Sequence, residues 1–399
     1  MTAERGADSA DAVAPGVTRR GLLWGGGIGL GLGAVGGALA AASARPRTSP
    51  DPAASPSPQG RVVARGIHQA GIARPATPQK NTVVVVADVP SPMGAPEVRG
   101  ALDALGSAVD RLTDGADGAV LPDGPGDLTI TVGVGPRWVS MLDPQLPGAS
   151  GLPVFASDGP LDPGLSGGDL LLSVCGSDAG VLHAVAAALL DAVPGAVRRW
   201  SQTGVRGAGE GTIVRNPLGY HDGIVVPRTD AELDANVWIT DGPAAGGTIA
   251  VVRRLRLDAA RFRGESAERQ DAIVGRRRAD GVPLSGGGAT DAVDLRAKTP
   301  EGDYLVPARS HARAAHPSFT DSALMLRRGY AYSNATAGGT DADDGLLFVC
   351  FQRELETFVR TQHRLDEVDD LMTYATVTAS ASFLVLPGRT TDGAWGSAL

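Results

Sequence analysis

A chain of 399 residues, 43% hydrophobic and 20% charged, has a globular balance and enough apolar material for one large or two ordinary domains. Its net charge of −8 and pI near 5.3 argue against a nucleic-acid surface. Lysine occurs only at Lys80 and Lys298, so nearly all positive charge is arginine, and no basic or phosphate-rich partner is indicated.

The first 44 residues read as an export signal. Thr18-Arg-Arg-Gly-Leu-Leu-Trp24 precedes an apolar, glycine-rich run from Gly25 to Ala42, and Ala42-Ser-Ala44 offers small residues for cleavage. This twin-arginine pattern predicts the twin-arginine translocase as a partner, passage as a folded chain and an extracellular or cell-surface destination. An uncleaved N-terminal anchor is the alternative that the sequence leaves open. Residues 45–65 read as a linker, rich in Pro, Ser and Ala up to about Gly60.

Thr82-Val-Val-Val-Val-Ala87 is a β-branched run, predicted to be a strand buried on both faces. Leu102, Leu105, Val109 and Leu112 then recur at helical spacing, which predicts a helix over 99–112. Strands at 128–134 and 170–174, an apolar helix at 179–193 and a strand at 197–202 complete a ferredoxin-like order. The same grammar restarts with a strand at 248–257, a helix at 267–277, strands at 323–332 and 346–351, one or two helices within 354–373, and a last strand at 382–386. The pattern predicts an α+β chain with an N-terminal half at 66–215 and a C-terminal half at 216–399. Glycine-rich loops at 159–168, 281–288 and 335–345 separate these elements; the first and last also carry aspartate and are candidates for shaping access to a site. Cys175 and Cys350 each sit in an apolar strand-like run and read as buried free thiols, with a disulfide left open.

Candidate chemistry begins at Asn216-Pro-Leu-Gly-Tyr-His-Asp-Gly223, where Asp222 lies between Gly219 and Gly223. Asp-Gly by itself is a common turn. Glycine at those two positions also permits positive φ or close approach to a flat ligand, so the turn can aim one carboxylate inward. His311-Ala-Arg313 and Leu326-Arg-Arg-Gly-Tyr330 follow, giving acid, histidine and arginine in succession.

In that order these motifs resemble the dye-decolorising peroxidases, haem b enzymes that oxidise bulky substrates with hydrogen peroxide. Gly247-Thr-Ile-Ala-Val-Val-Arg-Arg254, Ile273-Val-Gly-Arg-Arg277, Gly345 to Glu354 and His68-Gln-Ala-Gly-Ile72 look like that family's framework, so the resemblance runs over about 66–388. It implies two tandem ferredoxin-like halves forming one barrel-like core, with one haem b in the C-terminal half. It also implies hydrogen peroxide and an organic electron donor as partners, and turnover through a ferryl intermediate. Homo-oligomerisation, removal of iron from haem and a haem carrier without turnover stay open. No Cys-x-x-Cys-His is present, so any haem is held non-covalently.

Of the six histidines, His183 lies on an apolar helix and reads as a core residue, His68 and His363 read as solvated, and His221 points away from Asp222 if the loop is extended. Spacing does not separate His311 from His316; the family register selects His311 as the axial iron ligand and leaves His316-Pro317 as a turn. Asp366 is a possible carboxylate partner for that ligand, or an exposed helical charge. Asp222 is the candidate acid–base group, and Arg327 its companion against negative charge on peroxide oxygens. Arg328 points oppositely if this is a strand, so only one of the two faces the site, and the family register selects Arg327. Arg276 resembles a position beside a haem propionate. Where the family commonly reads Gly-Phe-x-Asp-Gly-Thr, this chain has Gly219-Tyr-His-Asp-Gly-Ile224, which replaces a polar neighbour of the acid by an apolar one. Tyr330 and Tyr332 are the nearest aromatic residues in sequence to Arg327 and the candidates for oxidising donors too large for a pocket.

Overall fold

In the computed structural model, which describes residues 60–89, 93–335, 343–390 and 394–395, the valine-rich run becomes β1 (Asn81–Asp88). Val83, Val85 and Ala87 face a helical layer while Val84 and Val86 face the opposite core, as alternation along a doubly covered strand requires. The predicted signal at 1–44, the linker up to residue 59 and the loop tip at 336–342 lie outside the described residues. The last linker residues are held down, with Arg61 on Asp114 at 2.7 Å and Arg65 on Asp110 at 2.6 Å.

After β1 come α1 (Ala95–Thr113), β2 (Thr129–Val134), α2 (Pro136–Leu142), β3 (Leu170–Gly176), α3 (Ala179–Asp191) and β4 (Val197–Val205). Pro96 in the first turn and Glu97, accepting from Gly94 N–H at 2.9 Å, start α1. These strands form an antiparallel sheet in the order β4-β1-β3-β2. A small sheet of β5 (Gly209–Glu210), β6 (Ile213–Arg215) and β7 (His221–Asp222) follows, then α4 (Asp230–Asn236). The second series is β8 (Thr248–Leu257), α5 (Ala259–Arg263), α6 (Ala267–Val274), α7 (His311–Ala314), α8 (Pro317–Thr320), β9 (Leu326–Arg327), β10 (Tyr330–Asn334), β11 (Asp343–Gln352), α9 (Leu355–Val368) and β12 (Ala375–Val385).

Its strands lie in the order β12-β8-β11-β10, the same permutation as the first series. The two sheets meet where Leu384 of β12 pairs with Val134 of β2, and where Ala331 of β10 pairs with Val205 of β4. Eight strands among the described residues therefore close into a barrel. Both seams are short. The arm before β1 reinforces the first: Gln69 donates to the carbonyls of Val132 and Leu386 and accepts from Val132 N–H.

Three expectations change. The helix predicted to reach Arg277 stops at Val274, because Gly275 caps it at φ 89°. The strand predicted over 323–332 breaks into β9 and β10 around Arg328-Gly329. His183, read as a core residue, is exposed on α3 and meets Thr203 Oγ1 of β4 at 3.1 Å. Cys175 and Cys350 are free and buried in different clusters, the first inside the barrel and the second under α9.

Candidate active site

Asp222 is placed by a turn that the local sequence builds. Asn216 Oδ1 accepts from the N–H groups of Leu218 and Tyr220, both at 3.0 Å, and Gly219 takes φ 87°. Arg215 donates to the carbonyl of Gly219 at 2.6 Å, while Arg228 donates to those of Gly223 and Ile224 at 2.8 and 2.6 Å. Two guanidinium groups thus hold the backbone on both sides of the acid.

The glycines do allow close approach, but on their Cβ side it is protein that approaches. A Cβ on Gly219 would lie 2.8 Å from Arg278 Nε, and one on Gly223 only 2.1 Å from the Thr212 carbonyl. Gly223 also has φ 81°. We therefore expect Gly223→Ala to cost at least about 1–3 kcal/mol from backbone strain, with the Thr212 contact adding to it, read as a lowered denaturant midpoint at unchanged slope.

Arg327 faces the acid. Its Nη2 lies 3.5 Å from Asp222 Oδ1, and its Nη1 donates to the Val225 carbonyl at 3.0 Å, which fixes the fork. Gly223 N–H donates to Asp222 Oδ1 at 2.6 Å. Oδ2 has no hydrogen-bond partner among the described residues. Arg328 turns the other way, is buried, and donates to the Pro75 carbonyl at 2.8 Å. Leu346 and Phe348 are half-buried at alternate positions of β11, and a Cβ on Gly329 would lie 3.1 Å from Leu346 and 3.6 Å from Asp222 Oδ2. Apolar surface therefore adjoins the acid.

His311 opens α7. Its Nδ1 meets Asp369 Oδ2 at 2.6 Å; that carboxylate is fully buried, whereas the ring keeps 41% exposure. Nε2 has no partner among the described residues. Burial alone would lower the His311 pKa, but the Asp369 charge and hydrogen bond outweigh it and raise the value; the charges of Arg327 and Asp222 are also felt there. The residues far apart in sequence thus share one site. Asp370 pins the turn by accepting from Arg309 at 2.5 Å and Arg269 at 2.8 Å.

The carboxylate partner is Asp369 and not Asp366. Asp366 instead accepts from Gln362 at 2.7 Å and from Ser157 N–H at 3.3 Å. Asp369 also caps the turn after α9 by accepting from Leu371 N–H at 2.9 Å, and this capping position is the signal that could have singled it out. His316 caps α8, its Nδ1 accepting from Ser318 N–H at 3.1 Å. His221 packs against Gly281, on the side away from Arg327. His68, expected in solvent, stacks on Trp238 at 3.7 Å.

Arg276 is buried and donates to the carbonyls of Gly281, Ala289 and Asp291, so it organises the glycine-rich loop after α6. Gly275 beside it packs on Ser310 and Ala312, which flank His311. Tyr330 and Tyr332 lie inside the barrel at 3% and 5% exposure and cannot meet a donor at the surface.

Two family models match, the N-terminal model of the Dyp-type peroxidases over residues 69–206 and the C-terminal model over 214–390. The chain belongs to the Dyp-type peroxidase family. It is 35% identical over 283 residues to the dye-decolorizing peroxidase of Thermobifida fusca, covering 66% of each chain. It is 33% identical to the deferrochelatase of Escherichia coli, covering 69% of each. Among solved structures, the oxyferrous complex of DtpA from Streptomyces lividans superposes with a TM-score of 0.78 at 31% identity, over 85% of this chain and 97% of that one. In this Dyp-type peroxidase both Asp222 and His311 fall within the C-terminal model's range.

Proposed function

We propose that this chain is an exported haem b peroxidase, reducing hydrogen peroxide to water while oxidising dyes, phenols or similar donors. The observation that carries the reading is the shared site of His311, Asp222 and Arg327. His311, with Nδ1 against a buried carboxylate and Nε2 uncommitted, would ligate haem iron through Nε2 in its neutral form. The half-buried Leu346 and Phe348 suit a flat apolar macrocycle, and Gly275, next to the buried Arg276, packs on Ser310 and Ala312 beside His311. His311 would hold one non-covalent haem per chain. Haem iron supplies, when bound, the redox centre for peroxide reduction.

Asp222 Oδ2 is free to take a proton from hydrogen peroxide and return it to the departing oxygen, so that water leaves. Arg327 stays charged and, anchored on Val225, steadies negative charge on the peroxide oxygens without reorganising. Titration with haem should saturate at one equivalent, after which each peroxide consumed should oxidise two equivalents of a phenol. Release of iron-free porphyrin instead would favour the iron-removing activity named for the Escherichia coli relative, and bleaching alone would leave a carrier.

Two further results are expected. Asp369→Asn should weaken haem binding about 10–100-fold, because a partner of a ligating histidine orients its ring and raises its basicity; unchanged affinity in the titration would remove Asp369 from the site. Export should cleave the chain after Ala44, so N-terminal sequencing of secreted protein should begin at Arg45. Recovery of earlier residues would favour the retained anchor.

A further inference from the structure

Arg206, the last residue matched by the N-terminal family model, reaches into the site of the C-terminal half. It follows β4 and is fixed there by its own N–H, which donates to the Lys80 carbonyl at 2.8 Å. Its side chain is buried, and the guanidinium forks between two backbones. Nη2 donates to the Thr212 carbonyl at 3.0 Å and Nη1 to the Gly329 carbonyl at 3.4 Å. Both carbonyls adjoin the acid. Gly223 packs so closely on the Thr212 carbonyl that a Cβ would lie 2.1 Å from it, and Thr212 Oγ1 donates back to the Gly223 carbonyl at 3.3 Å. Gly329, in the break between β9 and β10, would place a Cβ 3.6 Å from Asp222 Oδ2. The guanidinium also stands 5.8 Å from the Tyr330 ring centroid, which limits its swing. Among the described residues its partners are carbonyls and one ring rather than a carboxylate. Burying a charge that no acid neutralises costs stability, so the side chain is better accounted for by the two backbones it joins.

We infer that Arg206 is a positioning residue for the peroxide reaction: it clamps the Asp222 turn to the strand break beside Arg327 and so sets the gap at which acid and arginine meet hydrogen peroxide. The inference rests on the peroxidase reading above. Arg327, donating to the Val225 carbonyl, makes one tie across that gap, and Arg206 makes the second. Asp222, His311 and Arg327 all belong to the C-terminal half, so the clamp is a contribution of the N-terminal half to the chemistry. Misplacing a reacting group by about 1 Å costs about 10²-fold in rate.

Arg206→Met keeps an apolar stem and removes both donors. In haem-free protein, hydrogen exchange of the peptide carrying β5 to β7 should quicken while peptides over β1 and β8 keep the parent rate. Haem titration should be unchanged, because His311 is untouched. In haem-loaded protein the reaction with hydrogen peroxide should slow about 10²-fold, yet the same substitution placed on Asp222→Ala should cost far less, since the group it positions is gone. Arg206→Lys keeps the charge but offers one nitrogen where the fork offers two; it should show the same dependence on Asp222 at smaller size, and it carries the test if Arg206→Met does not fold. Equal slowing in the two backgrounds, a parent rate without the clamp, or exchange that quickens evenly over the barrel would each overturn the assignment. Parent protein that consumes no hydrogen peroxide would instead sink the peroxidase reading, whereas the exchange comparison, made without haem, would still decide the clamp.

Discussion

Protein carrying His311→Ala should fold and fail to retain haem, a larger loss than the roughly 10–100-fold expected for Asp369→Asn. The ring keeps 41% exposure, so its removal deletes little packing. The fold does bear one cost: Asp369, fully buried, would keep only the Leu371 N–H as a partner. Leaving a buried acceptor short of a hydrogen bond costs about 1–3 kcal/mol, more for a charge. Combining His311→Ala with Asp369→Asn neutralises the stranded group and still lacks the ligand, which separates lost binding from lost stability. Absorption titration reads the result. A folded His311→Ala protein with the parent spectrum would transfer the ligand role to His316, despite the commitment of that ring's Nδ1 to Ser318.

Asp222→Ala and Arg327→Ala should both slow the reaction with hydrogen peroxide, and pH should tell them apart. General acid–base help is worth about 10²–10⁴-fold, and one preorganised electrostatic donor about 10²–10³-fold, so the ranges overlap. A carboxylate accepts a proton only when ionised. The parent rate should therefore fall on the acid side as Asp222 protonates, and Asp222→Ala should be slow but lack that limb. Arg327→Ala should keep the limb at a lower rate. Stopped-flow rates across pH decide this. If Asp222→Ala reacts at the parent rate throughout while Arg327→Ala is inert, the arginine is the essential group and the Asp222 stretch a structural turn.

Chain-local features were legible because they are set by neighbours. Repeated valines made β1, leucines at helical spacing made α1, and Asn216 with Gly219 and Gly223 made the turn that presents Asp222. Alternation left room for only one of Arg327 and Arg328 at the site, and the family register chose Arg327. Closure of the barrel was expected from the family resemblance, since two seams as short as Leu384 on Val134 and Ala331 on Val205 leave no pattern in either strand.

Tertiary structure decided what depends on distant packing. Asp369 and Asp366 are both acids near the end of α9, and only the approach of a residue 58 positions away makes one a histidine partner and leaves the other to cap a loop. Arg276 carried only a resemblance to a position beside a propionate, and its hold on the loop carbonyls of Gly281 and Asp291 appears only in the fold. Tyr330 and Tyr332 lay nearest Arg327 in sequence yet point into the barrel. Backbone conformation answers mainly to interactions within a few residues, whereas burial and partner choice are set by which surfaces meet when the sheet closes. By itself the sequence determined the first, and only the folded chain could decide the second.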